Sequence, residues 1–285
     1  MKFGIYLPNF GAYGDARVLA NLAQDAENAG WDGFFIWDHI AGWTLPMVDP
    51  WVALAAIAVS TNRIRIGTTV TPIPRRRPWK LARETVSIDH LSKGRLTLSV
   101  GIGGGDGEWA HLGEQTDLKK RGAMLDEALS VLVGLWSGEP FSFAGQYYQI
   151  EKAHFTPKPI QQPRIPIWVG GNWPNKVPFR RAAKWDGAFP LIYAEENEEE
   201  LALLSDVVQY LRENRIEEEP MDIIVMGVTP DADSQYATTL VKQRADLGAT
   251  WWLEAITPFR EGKGYEDEWP VDAMRERILQ GPPGI

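Results

Sequence analysis

The chain has no cysteine, which excludes disulfides, thiolate nucleophiles and zinc sites with sulfur ligands. Histidine is scarce: His39, His90, His111 and His154 make no HxH or HxxxH spacing, so the ligand cluster of a metal-dependent hydrolase is missing. An excess of positive charge is missing as well. With 29 Lys and Arg against 38 Asp and Glu the net charge is −9. That charge repels phosphate backbones and anionic membranes, and leaves a small organic molecule, not nucleic acid, as the expected partner. The apolar run from Trp51 to Val59 is too short to cross a bilayer. Met1 to Asn9 enters a strand pattern directly, without the basic segment, long apolar stretch and small-residue cleavage site of a secretory leader. No membrane contact and a cytoplasmic location are therefore expected.

A hydrophobic fraction of 44% and a charged fraction of 24% are an ordinary globular balance. Residues 1–285 suit a single α/β barrel domain. Apolar, β-branched runs alternate with amphipathic helical stretches throughout. Strands are expected at Phe3–Leu7, Gly33–Trp37, Ile64–Val70, Leu96–Gly101, Ile165–Val169, Ala188–Ile192, Ile223–Val228 and Trp251–Ile256. About eight such strands close a TIM (β/α)8 barrel. Asp49-Pro50 reads as N-cap and first residue of one helix, and Gly30 ends another, Ala16–Ala29, on which Leu19, Leu22, Ala23 and Ala26 share a face. Phe141 to Phe143 and Tyr147 to Ile150 read as a short β-hairpin inserted before the fifth strand. The acidic tracts Glu195–Glu200 and Glu217–Glu219 read as solvated helix ends.

Barrels place their chemistry at the carboxyl ends of the strands. Those ends here are Asp38-His39, Thr69-Val70-Thr71-Pro72, Gly101-Ile102-Gly103-Gly104-Gly105-Asp106 and Gly170-Gly171-Asn172-Trp173. The glycine-rich run fits GxGxxG in no register, because Asp106 and Glu108 stand where glycine is needed, so a Rossmann dinucleotide site is not supported. Gly170-Gly171 lets backbone amides approach phosphate oxygens, or simply turns a strand into a helix. Arg75-Arg76-Arg77 is either a solvated loop or the receiver of an anionic tail. The 13 Trp exceed ordinary core needs. Trp43, Trp109, Trp173, Trp251 and Trp252 stand at or near strand ends, where some wall an apolar pocket, while Trp251 and Trp252 are equally suited to the barrel core.

The run Ile66-Gly67-Thr68-Thr69-Val70-Thr71-Pro72, followed by Arg77-Pro78, Leu81-Ala82-Arg83-Glu84 and Leu91-Ser92-Lys93-Gly94-Arg95, resembles the third strand and following helix of the luciferase-like monooxygenase superfamily. Leu96 to Gly103 is similar to that family's fourth strand. Glu27 to Asp32, Pro166 to Gly171, Arg180 to Ala183 and Trp185-Asp186-Gly187 match in the same order, so the resemblance spans most of Met1 to Phe189.

The resemblance implies a bacterial-luciferase-like barrel that binds FMN or the deazaflavin F420. Such a barrel carries hydride to or from a small organic substrate or, with FMN, mono-oxygenates it. It also implies a homodimer. Gly170, Gly171 and Asn172 would hold the cofactor phosphate, and Gly101 and Gly103 would let the flat ring pack on backbone. Thr69-Val70 aligns with the place where several deazaflavin-dependent relatives bulge the third strand through a cis peptide behind the ring. Asp38 would bond the ring edge or backbone, and His39 would handle the proton that accompanies hydride transfer. Relatives acting on glucose 6-phosphate carry an acidic residue where this chain has Gly104, a departure that argues against a sugar-phosphate substrate. Two other readings stand beside this one: a non-catalytic flavin-binding barrel, and a cofactor-free hydrolase using Asp38, Glu84 or Glu254 as acid and base.

Overall fold

Residues 33–36 and 96–101 are buried at every position, as strands must be when helices cover one face and a packed barrel the other. The computed structural model describes residues 1–105, 107–217, 219–230 and 235–284, so Asp106 of the glycine-rich run and Glu218 of the second acidic tract lie outside it. In chain order the elements are β1 (Lys2–Leu7), α1 (Ala16–Asn28), β2 (Gly33–Ile36), α2 (Pro50–Ser60), β3 (Arg65–Thr68), β4 (Thr71–Pro72), α3 (Pro78–Leu91), β5 (Leu96–Gly101) and α4 (Leu118–Trp136). There follow β6 (Phe141–Ala144), β7 (Gln149–Ala153), β8 (Ile167–Asn172), α5 (Lys176–Ala182), β9 (Gly187–Leu191), α6 (Asn197–Asn214), β10 (Asp222–Gly227), α7 (Gln235–Asp246), β11 (Trp251–Ala255) and α8 (Val271–Leu279).

All pairings in the main sheet are parallel, and β1 meets both β2 and the last strand, β11. Pairing of β3 with β5 completes the ring β3-β2-β1-β11-β10-β9-β8-β5, with β4 as a short continuation of β3. The result is the closed eight-stranded TIM barrel that the alternation implied. The inserted hairpin is present as β6 and β7, and Glu127 of α4 anchors it by accepting the amides of Gln146, Tyr147 and Tyr148. No helix among the described residues is long and apolar enough to cross a membrane.

Two strands depart from expectation. The third is not continuous from Ile64 to Val70: it breaks after Thr68, the Thr69-Val70 peptide is cis, and pairing resumes at Thr71. The fifth does not stop at Val169 but stays paired with β9 through Asn172, so Gly170-Gly171 belongs to the strand and is not a turn. Helix starts follow their caps. Asp49 accepts the Trp51 and Val52 amides ahead of Pro50, Asp15 caps α1, Asp117 caps α4 and Asn175 caps α5.

Large rings plug the barrel from below. Phe35, Trp168 and Trp251 meet at centroid distances of 5.1 to 5.7 Å, so Trp251 is core, as is its buried neighbour Trp252 on the helix side. Tyr6, Phe189, Ile224 and Leu253 complete this inner cluster. Above it the half-buried Trp37, Val70, Leu191, Met226 and Ala255 form the floor of an open mouth.

Candidate active site at the carboxyl ends of the strands

One side of the mouth is built from absent side chains. Gly101 and Gly170 face the barrel axis, where a Cβ would lie 2.8 Å and 2.6 Å from the methyl groups of Val70. Only glycine at both positions lets Val70 settle between β5 and β8. Thr69 Oγ1, buried beside it, has no partner among the described residues. Gly171 alternates to the outer face, where its Cβ would strike Pro178 of α5 at 2.3 Å, so close helix packing is what requires it.

Beyond Val169 the register of β8 with β5 ends, while Gly170, Gly171 and Asn172 continue to pair with β9. The edge of these residues toward β5 is left without a strand. The turn after them is closed instead: the amides of Trp173, Asn175 and Val177 donate to Leu191 O, Asn172 O and Asn175 Oδ1. A phosphate contact here would therefore fall to the strand edge and not to the capped start of α5. Gly103 has φ of +73° and makes room for Trp109, whose ring would lie 2.4 Å from a Cβ there. Trp109 is buried under the Arg121 guanidinium, 4.0 Å away, and is core, not pocket wall.

The opposite side is built from charge. Asp38 lies within hydrogen-bond reach of three side chains: Oδ1 is 2.7 Å from both Arg75 Nη2 and Arg76 Nη2, and Oδ2 accepts from Thr71 Oγ1 at 2.8 Å. Its side chain has no exposure, enclosed by these three partners. Arg75 and Arg76 are neither a solvated loop nor a free anion receiver, since their side chains are 2% and 14% exposed and turned onto Asp38. Arg77 alone of the three is exposed.

Arg75 reaches a second carboxylate. Its Nη1 lies 2.8 Å from Glu108 Oε2, and the same oxygen is 3.1 Å from His39 Nδ1. Glu108 Oε1 accepts the Ile40 amide at 2.6 Å. Burial pushes the Glu108 carboxyl up, but the His39 hydrogen bond, the His39 and Arg75 charges and the Ile40 amide outweigh it and hold the group below the ordinary glutamate value. An ionised carboxylate only accepts, so the proton between the two side chains sits on Nδ1 and Nε2 is the nitrogen left for the mouth. Asn9 fixes the backbone on either side of that ring, accepting from His39 N at 3.2 Å and donating to His39 O at 2.8 Å. His39 remains 28% exposed.

Sequence reading named His39 but missed Glu108, which stands 69 residues away and has no spacing signal of its own. Its place just after the glycine-rich fourth strand end was the available clue. Aromatic rings surround the imidazole: Trp43 lies edge-on at 4.7 Å, Trp37 at 5.6 Å and Phe10 at 6.1 Å. The carboxylates that a hydrolase would need are placed otherwise. Glu254 is fully buried and held by Arg260, Thr229 and Trp252, and Glu84 pairs with Lys80 on α3. No group of three or more metal-ligating side chains occurs among the described residues.

Comparison with known proteins bears on the family and the fold. The chain is 34% identical over 271 residues to the F420-dependent glucose-6-phosphate dehydrogenase of Nakamurella multipartita, covering 91% of this chain and 75% of that one. It is 30% identical over 161 residues to the oxygenase component of the flavin-dependent trigonelline monooxygenase of Acinetobacter baylyi, covering 56% and 44% of the two chains. An F420-dependent secondary alcohol dehydrogenase in complex with an F420-acetone adduct shares the fold, with a TM-score of 0.75, 18% identity and 98% of both chains covered. The luciferase-like monooxygenase pattern matches residues 1–273, and the chain belongs to that family.

Proposed function

We propose that this protein is an oxidoreductase that uses F420 or FMN to carry hydride to or from a small organic substrate held beside His39. The observation that carries the reading is the meeting, at one mouth, of a side-chain-free ledge and a carboxylate-held imidazole. Gly101 and Gly170 over Val70 suit the face of a flat ring, and the unpartnered Thr69 Oγ1 suits its polar edge. Gly170, Gly171 and Asn172 offer their open strand edge to a phosphate, and Gly103 shapes the adjoining loop. The bound ring supplies the hydride chemistry, or with FMN the activation of oxygen. His39 Nε2 takes up or returns the substrate proton, and Glu108 holds the imidazole in the tautomer that permits it.

F420 is the favoured partner, because the F420-dependent relative matches over 91% of this chain and the flavin-dependent one over 56%. Titrating cofactor-free protein with each cofactor, followed by fluorescence, tests this. Saturable binding of F420 is expected, and failure of both cofactors to bind at micromolar concentration ends the reading. The working molecule is taken to be a cytoplasmic homodimer. Val52 and Val59 on α2, 59% and 67% exposed, support a partner on that side. Sedimentation showing only monomer at micromolar concentration would count against it.

A further inference from the structure

The two halves of the mouth differ in kind. The glycine ledge lies at β5 and β8, whereas the loops after β1, β2 and β11 raise a wall of rings on the far side of His39. Phe10 and Trp43 stack at 4.3 Å with planes 17° apart, and Tyr265 meets Phe10 edge-on at 5.1 Å. Phe259 follows at 4.7 Å from Tyr265 and is 58% exposed. Trp43 and Tyr265 are half-buried, and Ile40 beside His39 is 45% exposed. A contiguous, part-exposed aromatic surface next to a polar nitrogen is what a ligand with a ring and one oxygen covers.

Charge narrows the choice. The Lys and Arg residues in the loops at the carboxyl ends of the barrel strands are Arg75, Arg76, Arg77, Arg260 and Lys263. Arg75 and Arg76 are locked on Asp38 and Glu108, and Arg260, 3% exposed, is locked on Glu254. Arg77 heads α3 and stacks over Trp79 outside the barrel. Lys263 is exposed, but Glu261, Glu266, Asp267 and Glu268 flank it in its own loop. Residues 231–234 lie outside the described structure and contain no Lys or Arg. Among the described residues the cations nearest His39, Arg75 and Arg76, are thus already engaged, and Lys263 stands in a loop whose carboxylates outnumber it, so a phosphate dianion there is disfavoured.

We infer that the substrate site beside His39 takes a flat, uncharged aromatic or polycyclic alcohol or ketone, not a sugar phosphate. The inference rests on the oxidoreductase reading and adds its substrate class. In the oxidising direction F420 or FMN, if held at the ledge of Gly101 and Gly170, would supply the acceptor for the hydride and electron pair of the breaking carbinol C–H bond. The O–H proton goes to His39 Nε2 and the C=O bond forms. Reduction of the ketone is the reverse, the proton returning from His39 to oxygen.

Saturation-transfer NMR and calorimetry on cofactor-free protein, with 2-acetylnaphthalene and glucose 6-phosphate as the two probes, test the site without turnover. The naphthyl ketone is expected to bind saturably and glucose 6-phosphate not at all. Trp43→Ala should weaken the ketone about tenfold, and Phe259→Ala, at a ring that is 58% exposed, roughly threefold. Saturable glucose 6-phosphate binding without ketone binding overturns the inference, as does ketone binding unaffected by both substitutions. Titration of the same protein with F420 and FMN separates the two readings. Cofactor binding with oxidation of glucose 6-phosphate sinks the substrate class and leaves the oxidoreductase standing. Ketone binding without cofactor binding does the opposite.

Discussion

Glu108→Gln removes one charge at the centre of the mouth while leaving the shape of the side chain. The new amide oxygen still accepts from Ile40 N, but the amide nitrogen then faces Arg75 Nη1 and His39 Nδ1, which are both donors. Each hydrogen bond to a charged group is worth about 1.5–3 kcal/mol, and removing one partner of a buried ion pair costs about 3–5 kcal/mol. Arg75 keeps Asp38, so the stability loss should fall near the lower end, about 2–3 kcal/mol. Losing the bond that orients the imidazole corresponds, at 1.36 kcal/mol per decade, to a hydride-transfer rate lower by about tenfold to a hundredfold.

Cofactor affinity should hardly move, because the ledge at Gly101 and Gly170 lies across the mouth. Stopped-flow single turnover, with denaturant unfolding in parallel, separates these quantities. The pH dependence carries a sign. The Glu108 carboxyl is held low in the folded protein, so its contribution is fully present above the ordinary glutamate value and is lost as pH falls through the lowered one. The stability gap between wild type and Glu108→Gln should be flat at neutral pH and close in acid. A folded variant with an unchanged single-turnover rate, or a gap that widens in acid, refutes the reasoning.

His39→Ala should slow single-turnover hydride transfer by about a hundredfold to ten-thousandfold with cofactor affinity nearly intact; equal rates would end the catalytic role. Gly170→Ala drives a methyl group into Val70 and, at an overpacking cost of about 1–3 kcal/mol, should weaken cofactor binding roughly fivefold to a hundredfold. Val70→Ala in the same chain should restore part of that loss, and a double variant no better than the single one would show that the ledge is not where the ring rests. Asp38→Asn leaves Arg76 without its counter-charge and Arg75 with Glu108 alone, and should destabilise by about 3 kcal/mol; chemical unfolding showing under about 1 kcal/mol would contradict a structural role for the cluster.

The strands were legible because each is an apolar run bounded by loop residues, and that property is local. Their ends were less so. Gly170-Gly171 reads as a turn because glycine favours turns, yet β9 holds both residues in the sheet and Val70 and Pro178 explain why neither has a side chain. Val70 is 100 residues from one contact and Pro178 belongs to the next helix, so nothing near Gly170 in sequence announces either. His39 was legible for the opposite reason: a barrel strand end is a privileged address whatever the neighbours. The groups that give His39 its tautomer and place were not. Arg75 and Arg76 meet Asp38 across 37 and 38 residues, and Glu108 meets His39 across 69. A run of three arginines in isolation looks solvated, and only the fold shows that two of them face inward.

Buried ion pairs contribute little net stability, because desolvation offsets attraction, yet this protein places two such networks at the same end of the barrel. The first, Asp38 with Arg75, Arg76 and Glu108, joins the loops after β2, β4 and β5. The second centres on Glu254, which meets Arg260 at 2.6 Å and Arg277 of α8 at 3.5 Å and accepts from Thr229 N at 2.8 Å, joining the loops after β10 and β11. Each would be expensive to break and gives little if replaced by apolar packing, so their value lies in fixing which loop meets which. The first network ends on a half-exposed imidazole. The second has no exposed member, but Arg260 stands beside Phe259 in the loop that also carries Tyr265. The His39 side and the aromatic side of the mouth are therefore each tied to their own buried carboxylate. Substitutions at Glu254, behind the barrel wall, should shift the loop of Phe259 and Tyr265 while leaving the hydrogen bond between His39 and Glu108 in place.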